Sequence, residues 1–496
     1  MSKIIIQNGN MCELDLPLKF AQKLYNEFAI RHPNAFYLRT RQRGMQNWDG
    51  KIHYITKTGQ FKIGLLPKVY DMCIEMGIKP KVVDTRQPLP KVSKVVTKIG
   101  KYKLRPEQEK AVKAVINNTI GGKPFHIGVL DYTVNAGKTL IMSSLYLSYK
   151  KQLKTLLITN DSDWLNQARE EFKQYLPGED ITFVQGKVLN WSNFTIGMVQ
   201  SISRNMRFYQ KELSQIDMVL IDEADQGGSR QYQNVITRLF NTRIRIGLSG
   251  TIYMSKLAKD KVKNMNLECF FGKVLAEFKL RDSIKKGYST KTVVKMVPGK
   301  PWYGNWESDC ISYKEIYDDS ITNSYTAWLM AYSRLRWNIN QGRYPALVVC
   351  KHIAHCENLY KFFKKKLGDA YNIAYVHVNT KSKLRQQIMK DFRDGKIDIL
   401  VSTTIIARGK NFPKLRYLLN AASMDSQEKS IQFLGRLVRT DKSKKKVYLD
   451  DLHYPGNYLD RHGKHRKQYY QRQELKVILL DKLWKKHPNH HSLIQS

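Results

Sequence analysis

The chain has 496 residues, 42% hydrophobic and 11% aromatic, which excludes a disordered protein and, at ~150 residues per domain, is enough for roughly three cores. With 84 Lys and Arg against 43 Asp and Glu, the net charge is +41. That excess is more than solubility needs and favours a polyanionic partner, nucleic acid before membrane, since no apolar run approaches the ~18 residues that span a bilayer.

In chain order, residues 1–95 form a first, basic unit. Leu18, Ala21, Leu24, Tyr25 and Phe28 follow helical spacing within 16–30. Residues 36–43 interleave aromatics with Arg39, Arg41 and Arg43, and Asn47-Trp48-Asp49-Gly50 reads as a hairpin turn. Aromatics beside arginines suit base stacking and phosphate contact, so Arg39, Arg41, Arg43 and Trp48 are candidate nucleic-acid contacts, weighed against a small core with a solvated basic face. Pro88, Pro90 and a Lys-rich run mark a linker. From residue 96, short apolar strands alternate with helical patterns, at 126–130, 155–159, 195–199, 218–221 and 245–248. The rhythm resumes between 276 and 455, with strands at 346–350, 373–378, 397–402, 417–421 and 446–449. Such alternation predicts βαβ units and parallel sheets. A basic extension, 456–496, carries a helical apolar stripe at Leu475, Ile478, Leu479 and Leu483. Six scattered cysteines fit free thiols in a reducing compartment. Cys350, His352, His355 and Cys356 lie within seven residues, but as a strand end and a helix start they read as packing rather than as a zinc site.

Three stretches carry chemistry. Asn135-Ala136-Gly137-Lys138-Thr139 follows a strand and opens a helix, a geometry that aims backbone N–H groups at a phosphate chain. Lys138 would reach the β- and γ-phosphates, and Thr139 would ligate Mg²⁺. Asp222 and Glu223 end a buried strand 84 residues later, where Asp222 suits Mg²⁺ and Glu223 suits the attacking water. Finally, Gln432, Arg436 and Arg439 fall in a predicted helix with both arginines on one face, a spacing that suits a phosphate clamp.

The succession of motifs over 104–440 resembles that of superfamily 2 helicases. Leu104-Arg105-Pro106-Glu107-Gln108 is similar to the upstream adenine-reading element, which implies nucleotide contacts for Arg105 and Gln108. Residues 132–139 resemble motif I, 222–225 motif II, and Ser249-Gly250-Thr251 motif III. Gln167 and Gln200 fall where strand-contacting motifs lie. Residues 401–411 resemble motif V, with Thr403 as a nucleic-acid contact and Gly409 as a nucleotide contact, and Gln432 to Arg439 match Q-x-x-G-R-x-x-R of motif VI. The N-W-D-G turn, S-G-T and motif VI more narrowly resemble the UvsW-type phage helicases of recombination and branch migration. The resemblance implies an α/β fold with two tandem RecA-like parallel-sheet domains (96–275 and 276–455), a small α+β N-terminal domain and a basic tail. It implies ATP and Mg²⁺ as cofactors, branched DNA as partner, and the cytoplasm, of a host cell if phage-encoded, as the place of work. Tyr132, Thr133, Val134 and Asn135 depart from the usual motif I, and Asn411 from the Asp common in motif V. The string Asp222-Glu223-Ala224-Asp225 also invites the RNA helicases named after it, although motifs III and VI differ from theirs. An RNA-dependent ATPase and a non-catalytic DNA-binding or annealing protein are the alternatives.

Overall fold

The computed structural model describes residues 2–41, 44–149, 152–188, 191–252, 258–299, 312–407 and 412–480. Two compact units divide the chain, Met1–Phe278 and Lys279–Ser496.

The first unit opens with a four-stranded sheet in the order Gln60–Lys62, Met11–Asp15, Lys3–Ile6, Lys81–Asp84. Its first two pairings are antiparallel and the last is parallel, as expected of a small α+β region. The helix expected within 16–30 is Leu18–Glu27. Residues 35–41, the first part of the aromatic and basic stretch, form the helix Ala35–Arg41. Only three residues on either side of this segment pair as strand, Ala29–Arg31 with Lys51–His53, so the basic stretch between them closes into a helical turn.

The larger sheet of this unit has seven parallel strands, in the order Ile181–Val184, Phe194–Met198, Thr155–Thr159, Met218–Asp222, Ile244–Ser249, His126–Tyr132, Val274–Phe278. The central strands are apolar runs rich in β-branched residues. Both faces of a parallel sheet are covered by crossover helices, so these strands bury nearly every residue. Apolar side chains of the small sheet (Ile4, Ile6, Phe61, Val82) share one hydrophobic core with the larger sheet's Ile127, Val129 and Val219.

One buried cation fastens the two sheets. Arg245, in the middle of the strand Ile244–Ser249, is fully buried. It donates from Nη2 to Gly9 O (2.6 Å) and Asn10 Oδ1 (2.7 Å), and from Nη1 to Phe270 O (3.1 Å). Burial pushes its pKa down, to about 9, yet three acceptors within hydrogen-bond reach keep it charged at neutral pH. A β-carbon on Gly9 would meet Leu239 O at 2.5 Å, so the chain passes there without room for a side chain.

The second unit is another seven-stranded parallel sheet: Ile373–Val376, Ile399–Thr403, Ala346–Cys350, Tyr417–Asn420, Lys446–His453, Lys291–Pro298, Val477–Leu479. Numbered by rank along the chain, its order is 3-4-2-5-6-1-7, the order of the first unit's sheet. The topology is thus repeated where residue identity shows no repeat. Residues 477–479 join the sheet as an edge strand beside Val294–Met296 rather than forming the expected helix, and Leu483 lies outside the described residues. The helix Asn457–Arg472 is locked down by the fully buried pair Arg466–Asp451 at 2.8 Å, with Tyr470 Oη and Asn420 Nδ2 donating to the same carboxylate.

Candidate nucleotide-binding site

Parallel strands deliver their C-terminal ends to one edge, where ligands of open α/β sheets sit. In the first unit Asp131 is level with Ser249, and Asp222 with Leu248. The loops after His126–Tyr132, Met218–Asp222 and Ile244–Ser249 therefore emerge side by side.

The first loop turns through left-handed backbone at Asn135 (φ 65°) and Gly137 (φ 72°) before the helix Lys138–Ser148. A side chain at Gly137 would meet Gln108 Nε2 at 2.3 Å as well as an unfavourable φ. Gln108 and Arg105 hold the loop from outside. Gln108 Nε2 donates to Ala136 O (2.8 Å) while its Oε1 accepts from Arg105 N–H (2.9 Å), and Arg105 Nη2 donates to Asn135 O (3.0 Å). Both residues expected to contact nucleotide thus brace the loop itself. Tyr132, which stands where motif I has a small residue, is buried and donates from Oη to Glu107 O (2.7 Å).

Lys138 Nζ lies 3.1 Å from Asp222 Oδ1. Burial pushes the Lys138 amine down, but the carboxylates of Asp222, Glu223 and Asp225 outweigh it and leave the pKa above its ordinary value. The lysine is a fixed cation. Asp222 Oδ1 is buried and has no hydrogen-bond donor aligned on it beyond that ion pair, which leaves a lone pair for a hard cation. With the Thr139 hydroxyl it supplies the oxygen donors that Mg²⁺ prefers. Among the described residues no three His, Cys, Asp or Glu side chains cluster as metal ligands, and Mg²⁺ usually takes one or two protein oxygens plus substrate phosphates. Glu223 follows in left-handed backbone (φ 53°), unusual for a residue with a β-carbon.

Behind these groups runs a polar relay. Ser249 Oγ donates to Asp225 Oδ1 (2.8 Å) and accepts from Thr251 N–H (3.1 Å), tying the loop after Ile244–Ser249 to the acidic turn. Asn160 Nδ2 donates to Gln226 Oε1, and Gln200 Nε2 donates to Asn160 O (3.2 Å). Gln200 therefore reaches the acidic turn through one residue, while Gln167 bonds Glu171 along its own helix. Sequence reasoning placed Gln200 and Asp225 in motifs but not this chain of bonds.

In the N-terminal region Arg39 and Arg41 are exposed, with Arg41 over the Tyr37 ring at 5.1 Å. Trp48 donates from Nε1 to Lys51 O (2.9 Å), inside a turn closed by Gly50 at φ 76°. Arg43 lies outside the described residues.

In the second unit, Thr403 ends its strand nearly buried, and Gly409 and Asn411 lie outside the described residues. Gln432 and Arg436 are on the helix Gln427–Leu437, with Gln432 Nε2 donating to Glu428 Oε1 (3.3 Å). That helix stops before Arg439, so the two arginines do not share a helical face as expected. Three successive carbonyls at the helix end are each held: Leu437 O by Lys444 Nζ (3.0 Å), Val438 O by Thr290 N–H (2.8 Å), and Arg439 O by Thr290 Oγ1 (3.1 Å). Arg439 is placed by its backbone rather than by helical spacing.

Residues 101–254 match the family model described as "Type III restriction enzyme, res subunit", and residues 331–441 match "Helicase conserved C-terminal domain". A curated relative, helicase 22 of Sulfolobus islandicus filamentous virus (isolate Iceland/Hveragerdi), is 23% identical over 385 residues, covering 71% of this chain and 64% of its own length. Among solved structures, the type ISP restriction-modification enzyme LlaBIII bound to DNA is similar over 79% of this chain and 32% of its own, at 13% identity and a TM-score of 0.58. T4 UvsW is similar over 96% of this chain and 98% of its own, at 18% identity and a TM-score of 0.44. Identities this low speak to fold alone. With two family models matched in this order on two sheets of one topology, the chain belongs to the superfamily 2 helicases.

Proposed function

We propose that the chain is an ATP-dependent DNA helicase or translocase acting on branched DNA, such as forks, D-loops or four-way junctions, in recombination, repair or replication. The observation that carries this reading is the ion pair of Lys138 with Asp222 at 3.1 Å, at the exit edge of a parallel sheet with Glu223 next in the chain. Lys138 neutralises the phosphate chain. Thr139 and Asp222 would hold Mg²⁺, which when bound would screen phosphate charge. Glu223 orients the attacking water and takes its proton, and Arg436 and Arg439 stabilise charge on the transferred phosphoryl group. Gln108 and Arg105 keep the loop's N–H groups aimed. The net charge of +41 supports a polyanionic partner, and the N-W-D-G turn with the form of motif VI supports the branched-DNA class.

The test is the ATPase rate without nucleic acid and with single-stranded DNA, forked DNA, a four-way junction and matched RNA. Stimulation greatest with branched DNA is expected. Stimulation by RNA alone would move the chain to RNA remodelling, and no hydrolysis with any of them would leave a binding protein. Lys138→Ala is expected to lower turnover by at least about a hundredfold while sparing DNA binding; turnover at the wild-type rate would show that the phosphate loop is misassigned.

A further inference from the structure

At the C-terminal end of the helix Tyr325–Ile339 the Trp337 ring is 43% exposed, and three cations gather on it. Lys295 Nζ lies 5.0 Å from its centroid, Arg334 Cζ 5.1 Å and Arg343 Cζ 4.7 Å. Arg343 also stacks 3.6 Å over Tyr448, and Lys446 Nζ lies 5.6 Å from that second ring. The carboxylate facing this group is Asp450, which is buried and takes Arg334 at 2.7 Å. Burial first, then Arg334, Arg343 and Lys446, hold the Lys295 amine below its ordinary value against the opposing pull of Asp450. So many like charges around two aromatic rings disfavour folding by mutual repulsion, and a polyanion would relieve it.

The place is as informative as the composition. Tyr448 is level with Tyr417, Tyr417 with Ala346, and Ala346 with Ile399. These rings therefore sit on the entering edge of the second sheet. Thr403 lies four residues further along the strand Ile399–Thr403, or ~13 Å at 3.3 Å per residue, on the opposite edge.

We propose that Trp337 and Tyr448, flanked by Lys295, Arg343 and Lys446, form a stacking platform for an unpaired nucleic-acid strand, separate from the strand path at motif V. The part of the indole left exposed offers a base a stacking surface, and the surrounding ammonium and guanidinium groups take the phosphates on either side. Arg343, already stacked on Tyr448 and bonded to Asn338 Oδ1 at 2.9 Å, is preorganised for this. The proposal rests on the reading of the chain as a nucleic-acid motor.

The test uses the full chain, with anisotropy of a fork carrying one unpaired arm, the same fork fully paired, and a polyglutamate probe. Trp337→Ala is expected to weaken binding of the open-armed fork about tenfold, with little change for the paired fork, and Trp337→Phe should restore most of the loss. Lys446→Gln should reduce the slope of log affinity against log salt by about 0.7. ATPase without nucleic acid, unchanged in every variant, controls for folding. Wild-type affinity and salt slope in both Trp337→Ala and Lys446→Gln would overturn the platform. So would equal losses on the paired fork, or loss of polyglutamate binding alone. If the wild-type chain bound no nucleic acid at all, the functional reading itself would fall, which is a different result.

Discussion

Glu223 occupies backbone at φ 53°, a conformation that costs a residue with a β-carbon on the order of 1–3 kcal/mol. The turn that carries it is tied down by Asp225, which accepts from Ser249 at 2.8 Å. Glu223→Gln is therefore expected to keep the melting temperature and nucleotide affinity while kcat falls by about a hundredfold or more; equal losses in affinity and kcat would argue against a role at the attacking water. Lys444 makes a different prediction. Burial pushes its amine down to about 8, against Asp441, which raises it, and with Arg416, which lowers it further. Its folded pKa lies below the unfolded one, so between about 8 and 10.5 the unfolded chain binds more protons and stability rises with pH. Wild type should gain on Lys444→Gln as thermal melts are taken upward from neutral pH through that window. A constant gap would show that the amine does not titrate there.

Elements were legible where one signal dominated. The strands Thr155–Thr159, with its apolar centre, and Ala346–Cys350, apolar throughout, both stand where the pattern put them. Val477–Leu479 was misread because its neighbours decide it: an apolar triplet becomes a strand when a sheet edge is free. The end of the helix Gln427–Leu437 was also invisible, since it depends on Thr290, which holds the backbone of Arg439 from 149 residues away. Within the candidate site, the meeting of Lys138 with Asp222 was legible because both stand at or just after the ends of buried strands of one sheet. The bracing by Gln108 was not, because an amide can face a base or a backbone. Packing between elements gives a further prediction. A β-carbon on Gly247 would meet Ala224 Cβ at 2.7 Å and Phe271 at 3.0 Å, directly beneath the acidic turn. Gly247→Ala should lose about 1–3 kcal/mol by overpacking and reduce ATPase beyond that; an unchanged denaturation midpoint and turnover would mean the turn yields freely.

Across the molecule, two sheets share one strand order, yet they use their edges differently: the first gathers Lys138 and the acidic turn on the exit edge, and the second also has an aromatic and cationic group on the entering edge. The long-range contact with most at stake is Arg245. Replacing it with Met would leave Gly9 O, Asn10 Oδ1 and Phe270 O without their donor. A loss of about 3 kcal/mol in urea unfolding is expected, at 1–3 kcal/mol for each stranded group less the gain from removing a buried charge; a loss below about 1 kcal/mol would show that water replaces the guanidinium. That bond also has a schedule. Gly9 and Arg245 are 236 residues apart, so on a ribosome adding about 5–20 residues each second the N-terminal hairpin waits on the order of ten seconds or more for its partner. During that interval the face meant for the larger sheet is uncovered, and a segment made early is secured late.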